Sequence, residues 1–353
     1  MATSTPSPTM SAGDEWLLKV YHYIPNNAAA YLFIALMSTL TLTIAAQTLF
    51  KFGGAAYMSI IVLGGIIEVL GYGTRVLVTE DHKIDTLIVT SLFLLVAPIL
   101  FAFVNYLVAG WLLHAVDKRV RVLACHVWPH QIAWLFLSSD VVCMLLQGAG
   151  GAMLADGIDE SVANPIVLTG LAVQILFLSA FLGVLYRLRF RPDFALHSVE
   201  SLRPLFVVLF VTTALMWLRT VYRLASFSSI AANSVSDPGY IASSQWMFFV
   251  FDATLITFVL LFYAIFPINK YMQVGDDHAK WKAELGAGVV KGAQEAGKSP
   301  SDDVVKQPGL GEDAAAPKAA AAAASEEAAG PAAALQQSSG AATTSDGDKL
   351  TLV

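Results

Sequence analysis

The stretch from Trp134 to Leu154 reads WLFLSSDVVCMLLQGAGGAML, which is long and apolar enough to cross a bilayer as a helix. It nevertheless contains an acid, Asp140, and, seven residues later, an amide, Gln147. Seven residues are close to two helical turns, so both side chains lie on one face. Because lipid penalises a buried acid, this face is expected to point into a helix bundle or a wet cavity. Small residues then thin the helix where a neighbour or a ligand can come close: Gly148, Gly150 and Gly151.

The composition is that of a membrane protein. Hydrophobic residues make up 56% of the chain and charged residues 14%, with a mean hydropathy of +0.63. A soluble domain is about half apolar and about a quarter charged. The net charge of -6 belongs mainly to the end of the chain, where the 12 acids and 7 lysines from Asp276 onward account for five of the six charges. The acidic balance therefore gives no indication of a nucleic-acid partner.

Seven apolar segments, each near the ~20 residues of a spanning helix, predict an all-α integral membrane protein built as a seven-helix bundle. They lie at about 30–50, 56–78, 86–111, 131–154, 165–186, 204–226 and 246–268. Residues 1–29 form a polar lead before the membrane domain, 30–268. Residues 269–353 form an alanine-rich tail, which cannot bury a core and is predicted to be disordered.

Lysine and arginine in the connections predict the orientation, because cytoplasmic loops are enriched in both. Lys19 and Lys83 lie on one side. Eleven basic residues lie on the side of the tail: Lys51, Lys118, Arg119, Arg121, Arg187, Arg189, Arg191, Arg203, Lys270, Lys280 and Lys282. The lead is therefore expected to be extracellular or lumenal and the tail cytosolic, with the plasma membrane as the expected location.

Polar residues inside the second span form a candidate substrate site with Asp140 and Gln147. Glu68 and Tyr72, the candidate substrate contacts of this span, share a helical face with Arg75, which is expected to belong to the gating or ion-pair group. Glu68 lies about 16 Å from the cytoplasmic end and Asp140 about 14 Å, at 1.5 Å per residue. Two interpretations remain open: the acids are hydrogen-bonded struts that lock helices together, or they carry a substrate or proton role.

A second cluster is expected where the sixth and seventh spans approach the outer surface. Arg219, Tyr222 and Arg223 share a face of the sixth span, and Asp252 lies at a matching depth in the seventh. This pattern predicts an ion pair that gates the site or contacts a head group, although a purely structural pair would leave the same pattern. Gln174 in the fifth span is expected to form a hydrogen bond between helices.

Several function classes are disfavoured by missing residues. No lysine lies in any predicted span, which excludes a retinal Schiff base. The seven histidines lie in loops, tails or at span ends, so a zinc hydrolase is not expected. The chain has no phosphate-binding Gly-x-x-x-x-Gly-Lys-Ser/Thr motif. We therefore expect no enzymatic activity, no metal and no cofactor.

Taken together, these motifs and their order resemble the fungal RTA-like family of seven-span proteins, also called the lipid-translocating exporter family. The likeness runs from Tyr23-Ile24-Pro25 to about Pro267. It rests on Glu68 with Gly71-Tyr72 and Arg75, Ala97-Pro98 with Tyr106, Asp140 with Gln147-Gly148-Ala149-Gly150-Gly151, Gly170-Leu171 with Gln174, Arg219 with Tyr222-Arg223, and Phe251-Asp252.

The chain departs from the family pattern at four positions. Ser226 and Gln245 stand where the family usually has glutamates, Trp111 where it has an arginine, and Phe266 where it commonly has a histidine. The acidic groups of the outer surface are therefore reduced, which weakens the case for a cationic amphiphile as substrate.

The resemblance implies a protein that binds membrane lipids and translocates or releases an amphiphilic molecule, of the sphingoid-base, sterol-like or porphyrin class, in lipid homeostasis or drug tolerance. The alternative is a seven-span sensor or receptor of lipid or stress that signals through its cytosolic loops and tail.

The charge asymmetry of the loops gives a direct test of orientation. An epitope inserted after Gly275 is expected to resist protease added to intact cells and to be cleaved after permeabilisation. Cleavage in intact cells would reverse the predicted orientation.

Overall fold

A computed structural model describes residues 11–21, 23–51, 56–116, 120–122, 125–127, 129–155, 157, 160–190, 202–232 and 239–272. Seven helical segments within these ranges are long and apolar enough to cross a membrane. The predicted all-α, seven-span class is therefore confirmed. The predicted disordered tail lies outside the described residues from residue 273 onward.

The spans are long helices joined by short connections. The first six spans are α2 (Asn27–Phe50), α3 (Ala56–Asp81), α4 (Ile84–Val116), α5 (Pro129–Ala155), α6 (Glu160–Phe190) and α7 (Arg203–Ala232). The seventh consists of α9 (Gln245–Phe248), a π-helical turn (Phe249–Ala253) and α10 (Thr254–Ile265). The short elements are α1 (Ala12–Tyr21), β1 (Val120–Val122), β2 (Cys125–Val127), α8 (Tyr240–Ser243) and α11 (Asn269–Met272). The antiparallel pair β1–β2 lies in the loop between α4 and α5.

Consecutive spans pack side by side and close into a ring. Each of α2 to α7 contacts the next, and α10 contacts both α7 and α2. Helix α4 also reaches across to α7. Large apolar side chains such as Leu42, Phe50 and Trp134 remain exposed on the outer surface. The bundle therefore presents an apolar exterior to lipid and encloses its polar residues.

A hydrogen-bond network at the centre joins α4, α7 and α10. The amide nitrogen of Asn105 donates to the hydroxyls of Thr212 (2.9 Å) and Thr213 (3.1 Å). The hydroxyl of Tyr263 donates to the amide oxygen of Asn105 (3.0 Å). All of these side chains are buried. The network therefore holds α4, α7 and α10 together.

The polar lead contains a helix, α1, which the sequence analysis did not predict. The Ser11 hydroxyl accepts a hydrogen bond from the backbone N–H of Asp14 (3.1 Å), as a helix N-cap does. Leu17 of α1 is buried, and Trp16 packs edge-on against His82 in the α3–α4 connection. Helix α1 therefore covers one end of the bundle, here called the α1 end.

The glycines of α5 divide between a helix contact and open space. A Cβ at Gly150 would lie 2.5 Å from Val167 Cγ2 and 3.0 Å from the carbonyl oxygen of Ala163, both on α6. A Cβ at Gly151 would have no atom within 4 Å. Gly150 therefore allows α5 and α6 to pack closely, whereas Gly151 borders a cavity.

These neighbouring glycines provide a matched test of the packing. Gly150→Ala is expected to destabilise the bundle by about 1–3 kcal/mol because the added methyl group forces α5 and α6 apart. Gly151→Ala is expected to be neutral or mildly stabilising, since alanine favours the helix and meets nothing. The measurement is thermal unfolding of both purified variants in detergent. Equal melting temperatures would contradict the close α5–α6 contact.

Candidate functional site

The strongest polar contact in the bundle is the ion pair between Arg219 of α7 and Asp252 of the seventh span. Arg219 Nε lies 3.0 Å from Asp252 Oδ1, and Arg219 Nη2 donates to Asp252 Oδ2 at 3.2 Å. The Arg219 side chain is 5% exposed and Asp252 is fully buried. Only the Nη2 contact has hydrogen-bond geometry, because Nε and Oδ1 have no hydrogen-bond partner among the described residues. The pair therefore combines one charge-assisted hydrogen bond with one close charge contact.

A proline in α4 supplies a further acceptor for Arg219. Pro98 has no N–H, so the carbonyl of Leu94, four residues earlier, has no helical partner at that position. Arg219 Nη2 donates to this carbonyl oxygen at 2.9 Å. The consequence of Pro98 for the site is therefore this freed carbonyl. A proline within an apolar span is the signal that could have located it.

A π-helical turn positions Asp252. Residues Phe249–Ala253 form this turn, and Thr254 Oγ1 donates to the carbonyl of Phe249, five residues earlier, at 2.9 Å. One extra residue in a turn rotates the following side chains by about 100° relative to an unbroken α-helix. π-Turns occur frequently at functional sites, and sequence periodicity did not reveal this one.

Arg223 and Tyr222 extend the cluster one turn further along α7. Arg223 Nε lies 3.7 Å from the Asp252 Oδ1 that already contacts Arg219. Its Nη1 is buried and has no hydrogen-bond partner among the described residues. Tyr222 stacks on Phe251, with ring centroids 5.5 Å apart. Arg223 is thus the less satisfied of the two arginines.

Glu68 and Tyr72 of α3 face this cluster. Glu68 is fully buried, and neither of its carboxyl oxygens has a hydrogen-bond partner in the described part of the chain. It lies within electrostatic range of Arg219, Arg223 and Asp252. The buried hydroxyl of Tyr72 also has no partner among the described residues. The structure therefore associates Glu68 with the arginine cluster.

Arg75 is held by aromatic rings rather than by an acid. Its Nη2 donates to the hydroxyl of Tyr23 at 2.6 Å. Its guanidinium carbon lies 4.7 Å from the ring centroid of Tyr21 and 4.2 Å from that of Phe248. Burial raises the pKa of the Tyr21 hydroxyl, with the nearby Arg75 partly opposing this shift. A neutral phenol adds no counter-charge, so the described residues give Arg75 hydrogen-bond and ring contacts but no ion pair.

Asp140 and Gln147 contact two different neighbours. The hydroxyl of Tyr106 donates to Asp140 Oδ2 at 2.7 Å, while Asp140 Oδ1 is buried and has no partner among the described residues. Gln147 Nε2 donates to Gln174 Oε1 at 2.9 Å. The hydrogen bond expected of Gln174 between helices is therefore confirmed. Asp140 is anchored through one oxygen and free at the other.

A small cavity joins Asp140 to the arginines. This central cavity has a volume of about 20 Å³, enough for about one water molecule. Its polar lining consists of Asp140, Gln147, Gln174, Thr220, Arg219 and Arg223. Glu68 is not among the described residues that line it. Asp140 and Gln147 thus meet the arginine cluster here, whereas Glu68 approaches that cluster from another side.

A larger cavity opens toward the α1 end. This lateral cavity, between α4 and α5, has a volume of about 100 Å³ and is lined largely by apolar side chains. Leu87, Leu92 and Phe227 are among them. It shares Leu95, Gln147 and Arg223 with the central cavity. The two cavities are therefore adjacent, with Arg223 and Gln147 at their junction.

Gln245, one of the four departures from the family pattern, has a structural contact. Its Oε1 accepts from the backbone N–H of Asn26 and its Nε2 donates to the carbonyl of the same residue, both at 3.0 Å. A glutamate could accept but not donate in this position. The amide therefore joins the beginnings of α2 and α9 without adding negative charge.

The part of the chain that the structure describes contains no group of three or more His, Cys, Asp and Glu side chains arranged to hold a metal ion.

Comparison with known proteins gives one family and several yeast relatives. The family model described as RTA1 like protein matches residues 61–274, more than half of the chain. The relatives are from Saccharomyces cerevisiae. Protoporphyrin uptake protein 1 is 25% identical over 284 residues, covering 70% of this chain and 91% of the relative. Protein RTA1 is 25% identical over 225 residues, covering 61% and 67%. Sphingoid long-chain base transporter RSB1 is 23% identical over 246 residues, covering 57% and 61%. No solved structure matches the chain.

The buried ion pair generates a stability prediction. Asp252→Asn leaves Arg219 without its counter-charge and is expected to cost on the order of 3–5 kcal/mol of unfolding free energy. Adding Arg219→Gln to Asp252→Asn is expected to recover part of this loss, whereas adding Arg223→Gln recovers less, because Arg223 lies farther from the carboxylate. Denaturant unfolding of the single and double variants measures both couplings. If the losses of unfolding free energy caused by Asp252→Asn and by Arg219→Gln were additive in the double variant, the two side chains would not be coupled. That result would contradict the ion pair.

Proposed function

The chain belongs to the RTA1-like family, as its sequence motifs indicated, and from this premise we propose that it binds an amphiphilic molecule within the bundle and translocates or releases it. Relatives named for sphingoid-base transport and protoporphyrin uptake support an amphiphilic substrate. The seven apolar helices make the chain an integral membrane protein. The proposal includes location in the plasma membrane, an external amino terminus and no catalytic step.

One observation carries the proposal: a polar cavity and an apolar cavity meet inside the bundle at Gln147 and Arg223. An amphiphile needs both environments, a set of hydrogen-bonding and charged groups for its head and an apolar wall for its chain. Ligand pockets in general combine apolar walls with a few placed polar groups. Helix packing alone gives no reason for a polar cavity to lie beside an apolar one.

The volumes indicate that the described arrangement is closed. Neither the central cavity of about 20 Å³ nor the lateral cavity of about 100 Å³ holds a whole lipid-like molecule. Passage of a substrate therefore requires helices to separate. Beside the lateral cavity the space between α4 and α5 has room for one more methyl group, since a Cβ at Gly148 would lie 3.6 Å from Leu92 Cδ2, an ordinary van der Waals distance. We propose that this gap widens to admit the substrate.

The predicted site residues then take distinct roles. Asp140, whose Oδ1 has no partner among the described residues, and Gln147 supply the polar groups of the central cavity, next to the substrate. Glu68 and Tyr72 supply polar groups on the opposite side of the arginine cluster. Arg219 and Asp252 fix the helices, and opening requires Arg223 to change partners. The gating role extends to Arg75 and Tyr222, which lie toward the α1 end.

The polar groups predict a transport phenotype. Asp140→Asn and Glu68→Gln preserve the shape of the side chains but remove the ionisable group, and both are expected to reduce flux at least tenfold without lowering the melting temperature. The assay uses purified protein in vesicles and fluorescent single-chain amphiphiles with an amine, a hydroxyl or a carboxylate head group, and it follows the one that the wild-type protein moves. Matched controls are Asp85→Asn on α4 and Glu80→Gln on α3, which make the same changes at exposed positions.

The same assay separates a transporter from the alternative sensor. A transporter moves the amphiphile with no cytosolic partner present. Wild-type vesicles that bind but do not move any amphiphile would overturn translocation and favour a sensor. Normal flux through well-folded Asp140→Asn and Glu68→Gln proteins would instead reduce both acids to structural struts.

A further inference from the structure

We infer that the lateral cavity takes the head of a single-chain amphiphile whose head group is a carboxylate, held by Arg223, with the chain leaving between α4 and α5. This inference rests on the proposed function and specifies its substrate class.

The lining of the lateral cavity sets the sign of the charge it accepts. Among the described residues that line it, Arg223 is the single charged one, and Ser91 and Gln147 are the other polar side chains. A guanidinium in a mostly apolar wall attracts an anion strongly, because little solvent screens the interaction. An ammonium head group in the same place would be repelled.

Arg223 has unused hydrogen-bonding capacity. Its Nε is 3.7 Å from an Asp252 oxygen that Arg219 approaches at 3.0 Å, so the carboxylate is chiefly the partner of Arg219. The buried Nη1 of Arg223 has no partner in the described part of the chain. Leaving a buried charged donor unpaired costs free energy. A ligand carboxylate at the cavity junction would supply the missing acceptor.

None of the three buried acids of the bundle core lines the lateral cavity. Asp252 is fully buried and does not line the lateral cavity, and Glu68 does not line it either. Asp140 lines the central cavity alone. An anion in the lateral cavity therefore has the Arg223 guanidinium as the one charged group among the described residues of its lining. The uncharged Gln245 leaves the α1 end without an acid at that position.

The size of the cavity favours a carboxylate and a single chain. A volume of about 100 Å³ is about five times the 20 Å³ of the central cavity, which suits a small planar head group and the first methylenes. One guanidinium edge matches the two oxygens of a carboxylate. Leu92 is 41% exposed and the space beside Gly151 is open, so the remainder of the chain can leave into lipid.

Three competitors with the same chain test the head group. Purified protein in zwitterionic vesicles at pH 8 is labelled with photoactivatable palmitate, and palmitate, hexadecanol and hexadecylamine compete. Palmitate is expected to compete at about one tenth of the hexadecanol concentration, as a charge-assisted hydrogen bond implies. Hexadecylamine is expected to be no better than hexadecanol. An amine that competes better than the acid would overturn the inference.

Variants test the position of the head and the chain. Arg223→Gln is expected to abolish the advantage of palmitate over hexadecanol, and Arg223→Lys to retain part of it. Gly151→Leu is expected to fill the cavity and to lower labelling at least fivefold. Gly183→Leu on α6 is the matched control, since its added Cβ also meets nothing within 4 Å and it does not line the cavity. An unchanged acid preference in a folded Arg223→Gln protein, or equal labelling of the two leucine variants, would overturn the inference.

Failure of the inference is distinguishable from failure of the proposed function. Vesicles that transport a sphingoid base but are not labelled by palmitate would retain the proposed function and overturn the carboxylate site. Vesicles that neither transport nor label would overturn both.

Discussion

The buried pair of Arg219 and Asp252 is the interaction on which the polar interior depends. Either charge alone in the bundle would carry a large desolvation penalty, so the helices that bear them must stay together. The geometry draws on two departures from regular helix: Pro98 frees the carbonyl of Leu94, and the π-turn sets the direction of Asp252. The pair thereby fixes α4, α7 and the seventh span around the central cavity, and the Asn105 network supports the same three helices.

Sequence reasoning succeeded where a property is encoded by each segment alone. Hydropathy and length are local, so seven spans could be predicted, and helical periodicity placed Asp140 and Gln147 on the face that lines the central cavity. Contacts between helices were harder to predict from the sequence, because the rotation of one helix against another depends on packing throughout the bundle. Glu68 and Asp140 lie at similar calculated depth, yet they approach the arginine cluster from different sides. The π-turn around Asp252 leaves no trace in apolar spacing.

The hydrogen bonding of the two acids bears on whether they are struts or functional groups. Tyr106 anchors one oxygen of Asp140, as a strut requires, but the other oxygen is unpartnered among the described residues. Glu68 has no hydrogen-bond partner there at all, so it gains nothing that would explain its burial as a strut. Tyr72 and Arg223 leave further donors unused nearby. A fully satisfied network would rigidify the bundle, whereas this one keeps polar capacity for a ligand.

Membership of a family does not specify a head group, since relatives of this chain are named for chemically different amphiphiles. Function resides in particular sites on a shared fold. In this chain the ion pair and the central network hold the bundle together, while the lateral cavity depends on few side chains and can vary without disturbing them. Gly151 and Arg223 are two such residues of the cavity. Gly151 leaves open space beside α5, and Arg223 adds a charge that the Arg219–Asp252 pair does not need. If the proposed function holds, substitutions at the cavity wall can change the choice of substrate while the architecture is kept.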